Sequence, residues 1–201
     1  MLEIRLTQYP EEREQVFKLR YQIYVEELGW LQNYGKYEPN HKEKKIEEPL
    51  LDGSGHIFLA FKDSQLVGSL RVNYARDSYL EDYAKLYQIS EYAGDAHPLS
   101  TSISGRFMVH HHFRGSIIGL RLMQACYKQR LLDGIKFDFI DCETHNIPFF
   151  QKFGYQLIGS FDYQAYGSGN LMVLDLLNLK HLEKVKSPYQ RLYRNFLESK
   201  L

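Results

Sequence analysis

Residues 106–122, RFMVHHHFRGSIIGLRL, decide how this chain is read. A short strand pattern meets an Arg-Gly turn and then an apolar-periodic helix. Such a turn aims free first-turn N–H groups, the positive end of the helix dipole and the Arg114 guanidinium at one spot, which suits a phosphate. Arg114, Gly115, Ser116, Ile117, Ile118 and Gly119 are therefore read as a cradle for a phosphorylated cofactor arm. The plain alternative is an ordinary strand–helix turn carrying a solvated arginine.

Working outward, Leu2, Ile4 and Leu6 alternate with polar residues and predict a first strand, and Pro10 with Glu11 and Glu12 opens a helix over residues 10–27. Residues 31–54 show neither period and predict a long loop, a feature that is usually functional in a compact domain. HIFLAF and LVGSLRV predict a hairpin, and YLEDYAKLYQISEYA a helix. The strand ISGRFMV then feeds the opening motif. Residues 116–132 follow as helix, 137–141 as strand, and a short helix from Pro148 leads to Gly154. Residues 155–158 and 171–177 predict two final strands, antiparallel around a Gly167-Ser168-Gly169 turn, before a helical tail at 178–201. The order predicts an α/β chain with a mixed sheet.

With 201 residues, one domain spanning 1–201 is the default. Lys plus Arg balance Asp plus Glu at 25 each, so no global field favours nucleic acid, and an anionic partner needs a local patch. Cys126 and Cys142 lack metal-binding or disulfide spacing, and no signal peptide or membrane span is evident; a reducing cytosol is expected. Three consecutive residues, His110 to His112, point in different directions, so one ion captures two at best; no metal is expected, and they are read as edging the phosphate site.

Val109, Arg114, Gly115, Gly119 and Leu120 resemble the acyl-coenzyme A binding motif of the GNAT acetyltransferase superfamily, and NIPFFQKFGY at 146–155 resembles that superfamily's next motif. The likeness covers roughly residues 55–177. A narrower one reaches the N-terminus, where Arg20, Tyr24 and Trp30, with the GSLR of 68–71 and Arg106, look like the acyl-homoserine lactone synthases and the long-chain N-acyl amino acid synthases. The resemblance implies a GNAT-like fold: a mixed, mostly antiparallel central sheet with a splayed parallel strand pair, flanked by helices. It also implies an N-acyltransferase joining a medium or long acyl group, delivered as a thioester on acyl carrier protein phosphopantetheine or coenzyme A, to the amine of an amino acid or related small amine; the alternatives are a short-chain acetyltransferase using acetyl-coenzyme A and a non-catalytic acyl-thioester binding module. No tightly bound cofactor is implied. Phe107, Met108 and Val109 would line the acyl slot, and Arg20, Tyr24, Trp30, Arg71, Ser104 and Arg106 the acceptor side.

Four departures stand out. Ile117 holds the place of a glycine midway between Gly115 and Gly119, which limits approach of a pyrophosphate and favours the single phosphate of a carrier-borne arm. Phe150 replaces the superfamily's tyrosine acid. The acidic pair that lactone synthases carry before the hairpin is not plainly present in HKEKKIEEPLLD, and Thr101 or Ser102 stands where an acid is expected before Arg106.

Thioester aminolysis needs a neutral amine, a polarised carbonyl and a tolerable thiolate. With an α-amino pKa near about 8 and a thiol near about 8.5, a modest base suffices. Glu143 and His145, at the end of the strand FDFID, are the base candidates, against plain surface hydrogen bonding. Cys142 is read as a buried thiol, and direct transfer is preferred to an acyl-enzyme. Arg20, Arg71 and Arg106 either clamp a substrate carboxylate or brace the long loop through ion pairs with residues such as Glu26. Tyr24 and Trp30 either cover the acceptor or pack in the core. The tail places Tyr189, Leu192, Tyr193, Phe196 and Leu197 on one face, which docks on the domain or meets a carrier protein or a membrane surface. Lys42, Lys44, Lys45, Arg121, Lys128 and Arg130 are further carrier-protein candidates.

Overall fold

The alternation of Leu2, Ile4 and Leu6 produces β1 (Leu2–Leu6), which pairs antiparallel with β2 (His56–Lys62) in the computed structural model, whose described residues are 1–29, 38–163 and 167–200. β2 turns into β3 (Gln65–Tyr74) through Asp63 and Ser64, both at positive φ (49° and 67°), the backbone of a tight two-residue hairpin. β3 pairs antiparallel with β4 (Thr101–Val109), and β4 runs parallel to β5 (Phe137–Cys142). β6 (Gln156–Tyr163) and β7 (Gly167–Asp175) close the seven-stranded sheet in the order β1-β2-β3-β4-β5-β7-β6. The glycines of 167–169 lie inside β7, not in a turn as the sequence predicts.

α1 (Pro10–Tyr21) starts at Pro10 and continues as a π-helical stretch, Gln22–Glu27, so the helical run ends where expected. Glu12 ties the start down. Its carboxylate accepts from the N–H groups of Gln8 (2.7 Å) and Tyr9 (3.2 Å) and pairs with Arg5, whose bond pulls the Glu12 pKa down to about 2. Glu12→Ala is expected to cost about 1–2 kcal/mol, read as a lower urea midpoint at unchanged slope. The Glu12 contribution is present above the ordinary carboxylate value of 4.5 and lost as pH falls toward 2, so wild type and variant should converge in acid.

Two helix expectations need correction. The last six residues of the expected 31–54 loop are α2 (Pro49–Ser54), opened by proline at its first position. The helix expected around residues 79–93 is two, α3 (Glu81–Leu86) and α4 (Ile89–Ala93), because Gln88 takes a left-handed conformation (φ 52°) between them. α5 (Ile117–Leu132), α6 (Ile147–Gln151), α7 (Leu179–Lys184) and α8 (Gln190–Glu198) complete the chain.

Strand alternation divides the core. Ile57, Leu59 and Phe61 pack against Val16 and Leu19 of α1, and Ile103 and Phe139 against Leu51, Tyr87 and Ile89 of α2 to α4. Phe58, Ala60, Leu70 and Val72 meet Ile118, Leu122 and Cys126 of α5 on the other face. Tyr189 and Tyr193 of the tail join this second face, Tyr189 stacking on Tyr127 with ring centroids 4.0 Å apart. Both cysteines are buried free thiols. Among the described residues no helix is long and apolar enough to cross a membrane.

Candidate functional site

The parallel ladder between β4 and β5 lasts only from Thr101↔Phe137 to Ile103↔Phe139, although β4 continues to Val109 and β5 to Cys142. On its other side β4 slips register. Ser69 opposes Met108 and Arg71 opposes Gly105, so β4 carries one extra residue, and Arg106 sits there at φ 55°. A non-glycine residue in that region marks a bulge that bends the strand. The two strands therefore part into a slot whose β4 edge has no ladder partner on β5. Phe107 and Val109 flank Gly119 of α5, where a Cβ would stand 3.2 Å from the Phe107 ring, so Gly119 serves close strand–helix packing. Met108 points the other way, into the α1 cluster. Phe149 stacks on Phe107 at 5.6 Å, and Phe150, also against that ring, is buried beside Tyr155.

At the mouth of the slot, Gly115 adopts φ 75°, and Ser116 caps α5 by accepting from the Ile118 N–H at 3.3 Å. The remaining first-turn N–H groups have no intrahelical acceptor. Arg114 donates from Nε to the Val109 carbonyl (3.0 Å) and pairs through Nη1 with Glu27, which brings the end of the π-helical stretch to the Arg114–Gly115 turn. The Ile117 side chain is half exposed there. His110 stacks on His111 with His112 tilted against both rings, His110 bonds Gln22 at 3.0 Å, and burial together with its histidine neighbours lowers the His110 pKa.

On the α1–α4 side Arg20, Arg71 and Arg106 converge, but on two carboxylates the sequence did not single out. Asp52 holds Arg20 in two parallel bonds of 2.7 Å and accepts from Arg71 at 2.9 Å. Glu48 pairs with Arg71 and with both ends of Arg106, Nε at 3.0 Å. An acidic pair thus does stand before the hairpin, in α2 and the residue ahead of it. Glu26 pairs with Lys44 instead of an arginine. Burial raises the Glu48 pKa, and the Arg106 and Arg71 charges more than reverse this, leaving it well below the carboxylate range; Asp52 is lowered in the same way by Arg20. Tyr24 lies under Arg106, 5.7 Å from ring centroid to guanidinium carbon. Trp30 lies outside the described residues. Ser104 belongs elsewhere: its hydroxyl faces α5 and donates to Asp138 at 2.9 Å.

Glu143 and His145 lie just past β5, 3.2 Å from each other and both mostly exposed. Burial pushes the Cys142 thiol up to about 11, so it holds little thiolate near neutrality. Arg130, a sequence candidate for a carrier surface, is fully buried against Asp138, because its turn of α5 faces the sheet; Arg121 and Lys128 are exposed. Spacing alone separates these: positions 121 and 128 lie seven apart on one helical face, and 130 lies off it.

A bulged, splayed parallel strand pair thus stands beside a helix that begins just after the Arg114–Gly115 turn. A family model described as acetyltransferase (GNAT) domain matches residues 53–157, half of the chain, and the chain belongs to that family of acyl-transferring enzymes. Among solved structures it is similar to FeeM, an N-acyl amino acid synthase from uncultured soil microbes (13% identity, 96% of this chain and 98% of that one, TM-score 0.68). It is also similar to the CoA-dependent acyl-homoserine lactone synthase BjaI (18%, 94% and 91%, 0.68) and to the AHL synthase LasI (14%, 88% and 90%, 0.67). At these identities the likeness is one of fold. No curated protein matches the chain by sequence.

Proposed function

We propose that this chain moves a medium or long acyl group from a thioester, carried on the phosphopantetheine of an acyl carrier protein or on coenzyme A, to the amine of an amino acid. The observation that carries the reading is the β4–β5 slot, with a phosphate cradle at one mouth and a cationic cluster beside it. Among the described residues three guanidinium groups meet two carboxylates, a cationic balance that suits an acceptor bearing a carboxylate. The half-exposed Ile117 favours a single phosphate over a pyrophosphate, and exposed Arg121 and Lys128 offer contacts to an acidic carrier protein in the cytosol.

In the reaction the amine nitrogen attacks the thioester carbon, the C–N bond forms, the C–S bond breaks, and the thiolate leaves and takes a proton from solvent. The unladdered β4 backbone around Phe107 supplies N–H donors for the carbonyl oxygen. With Phe150 in place of a phenol, that position offers no proton to the leaving sulfur, and a thiol of pKa about 8.5 tolerates that.

The test is expression in a bacterial host followed by lipid extraction. New N-acyl amino acids are the expected products, whereas acetylated amines alone would replace the long-chain reading by a short-chain one. Arg114→Ala should raise the donor KM about 10- to 100-fold by removing a charge-assisted contact, with a smaller effect on kcat. An unchanged donor KM removes the phosphate assignment.

A further inference from the structure

The acyl-transfer reading leaves the amine's proton without an assigned acceptor inside the slot. Between Thr101 and Val109, β4 carries no carboxylate. β5 carries two, three residues apart, and strand alternation therefore sends them to opposite faces. Asp138 faces α5, where Arg130, Ser102, Ser104 and Tyr155 occupy its oxygens in a fully buried site. Asp141 faces the side of α2 to α4, the side of the arginine cluster.

Its place along the slot follows from register. Ile103 opposes Phe139 in the last rung of the β4–β5 ladder, so two residues further Asp141 stands across the opening from Gly105. Gly105 in turn borders the cluster, since a Cβ there would meet Arg71 Nη2 at 4.0 Å. The Asp141 residue is exposed, but its carboxylate is not loose: the buried Tyr87 hydroxyl donates to Oδ1. Tyr87 is anchored against Phe139 (6.4 Å) and Tyr83 (6.3 Å). One oxygen is thereby held and the other is presented to solvent at the slot.

We propose that Asp141 is the proton acceptor for the attacking amine, with Tyr87 as its positioning residue. The proposal rests on the acyl-transfer reading above. The amine N–H proton passes to the open carboxylate oxygen, directly or through one water, as the C–N bond forms and the C–S bond breaks; Asp141 then returns it to solvent. Burial and the Asp141 charge hold the Tyr87 hydroxyl pKa well above its ordinary value, so this donor keeps its proton across the working range. Among the described residues the other titratable neighbours are Tyr83 behind Tyr87, Asp138 on the opposite face of β5, and Cys142 and Glu143 along the chain.

Asp141→Asn is the deciding variant, because its amide oxygen still accepts from Tyr87 while its basicity is gone. Thiol release is followed from a decanoyl thioester on acyl carrier protein, with a mixture of the amino acids as acceptors. The expected result is a fall in kcat of about 100-fold at pH 7 with donor KM within about twofold, and Asp141→Glu recovering part of the rate. The deficit should shrink as pH rises past about 8, where the amine deprotonates unaided. An Asp141→Asn enzyme as fast as wild type overturns the assignment, as does a loss that appears only in Glu143→Gln or His145→Ala. A wild-type protein that releases no thiol removes the acyl-transfer reading, and this assignment with it.

Discussion

Asp138→Ala is expected to destabilise the folded chain by about 3–5 kcal/mol, because it leaves the Arg130 guanidinium buried with no counter-charge. Both side chains of this pair are essentially inaccessible, with relative exposures of 1% and 0%. Burial lowers the Arg130 pKa, yet the Asp138 charge outweighs it and holds the guanidinium well above its ordinary value, so the cation cannot escape by losing its proton. After substitution Arg130 retains only the Ser104 hydroxyl at 3.0 Å and the Tyr155 hydroxyl at 3.5 Å. Its Nε and Nη2 already have no partner. The urea midpoint at pH 7 should fall sharply at unchanged slope, and the double variant Asp138→Ala with Arg130→Met should recover most of the loss, since removing both charges removes the penalty. A single-variant loss under about 1 kcal/mol would contradict the buried pair. The pair also ties Ser102 and Ser104 of β4 to β5 where the two strands begin to part, so it fixes the root of the slot.

Glu48→Gln should cost on the order of 3 kcal/mol and remove acceptor turnover as well. This carboxylate, 2% exposed, is shared by Arg71 and Arg106, and Arg71 has a buried Nε with no partner of its own. Without it Asp52 keeps only its bonds to Arg20 and Arg71, and the bulge residue Arg106 loses both of its bonds to Glu48. The pH dependence has a definite sign. The folded pKa of Glu48 lies below the ordinary 4.5, so its contribution is complete above that value and is lost as pH falls below it. Wild type should weaken between pH 5 and about pH 3, while Glu48→Gln, already deprived of the charge, should show a flatter profile through that window. Urea midpoints for both proteins at the two pH values measure this. Parallel profiles would exclude Glu48 as a source of acid lability.

Much of the fold was legible because local signals agreed. The alternation of residues 2–6, the proline and acids at 10–12, the apolar period after Ser116 and the FDFID strand each rest on chemistry within a few residues, and each element forms where expected. The misplacements have local causes too. Gln88 breaks one helix by a left-handed backbone that its side chain does not advertise, and the glycines at 167–169 are tolerated within a strand although they read as a turn. Arg20, Arg71 and Arg106 were legible as a set, but their partners Glu48 and Asp52 sit in an unperiodic acidic stretch, where nothing distinguishes a buried carboxylate from its solvated neighbours Glu43 and Glu47.

The sequence by itself determined the elements, the helix start with Arg114 and Gly115, and the loss of a phenol at Phe150, because these depend on residue type and short-range spacing. Only the tertiary structure decided where β4 leaves β5, which acids neutralise the arginines, and which face each of Asp138 and Asp141 serves. Those are contacts between segments up to 58 residues apart, as Glu48 and Arg106 are. Chain distance says nothing about such pairs; they exist because a buried charge in the sheet's interior must find its counter-charge wherever the fold delivers one.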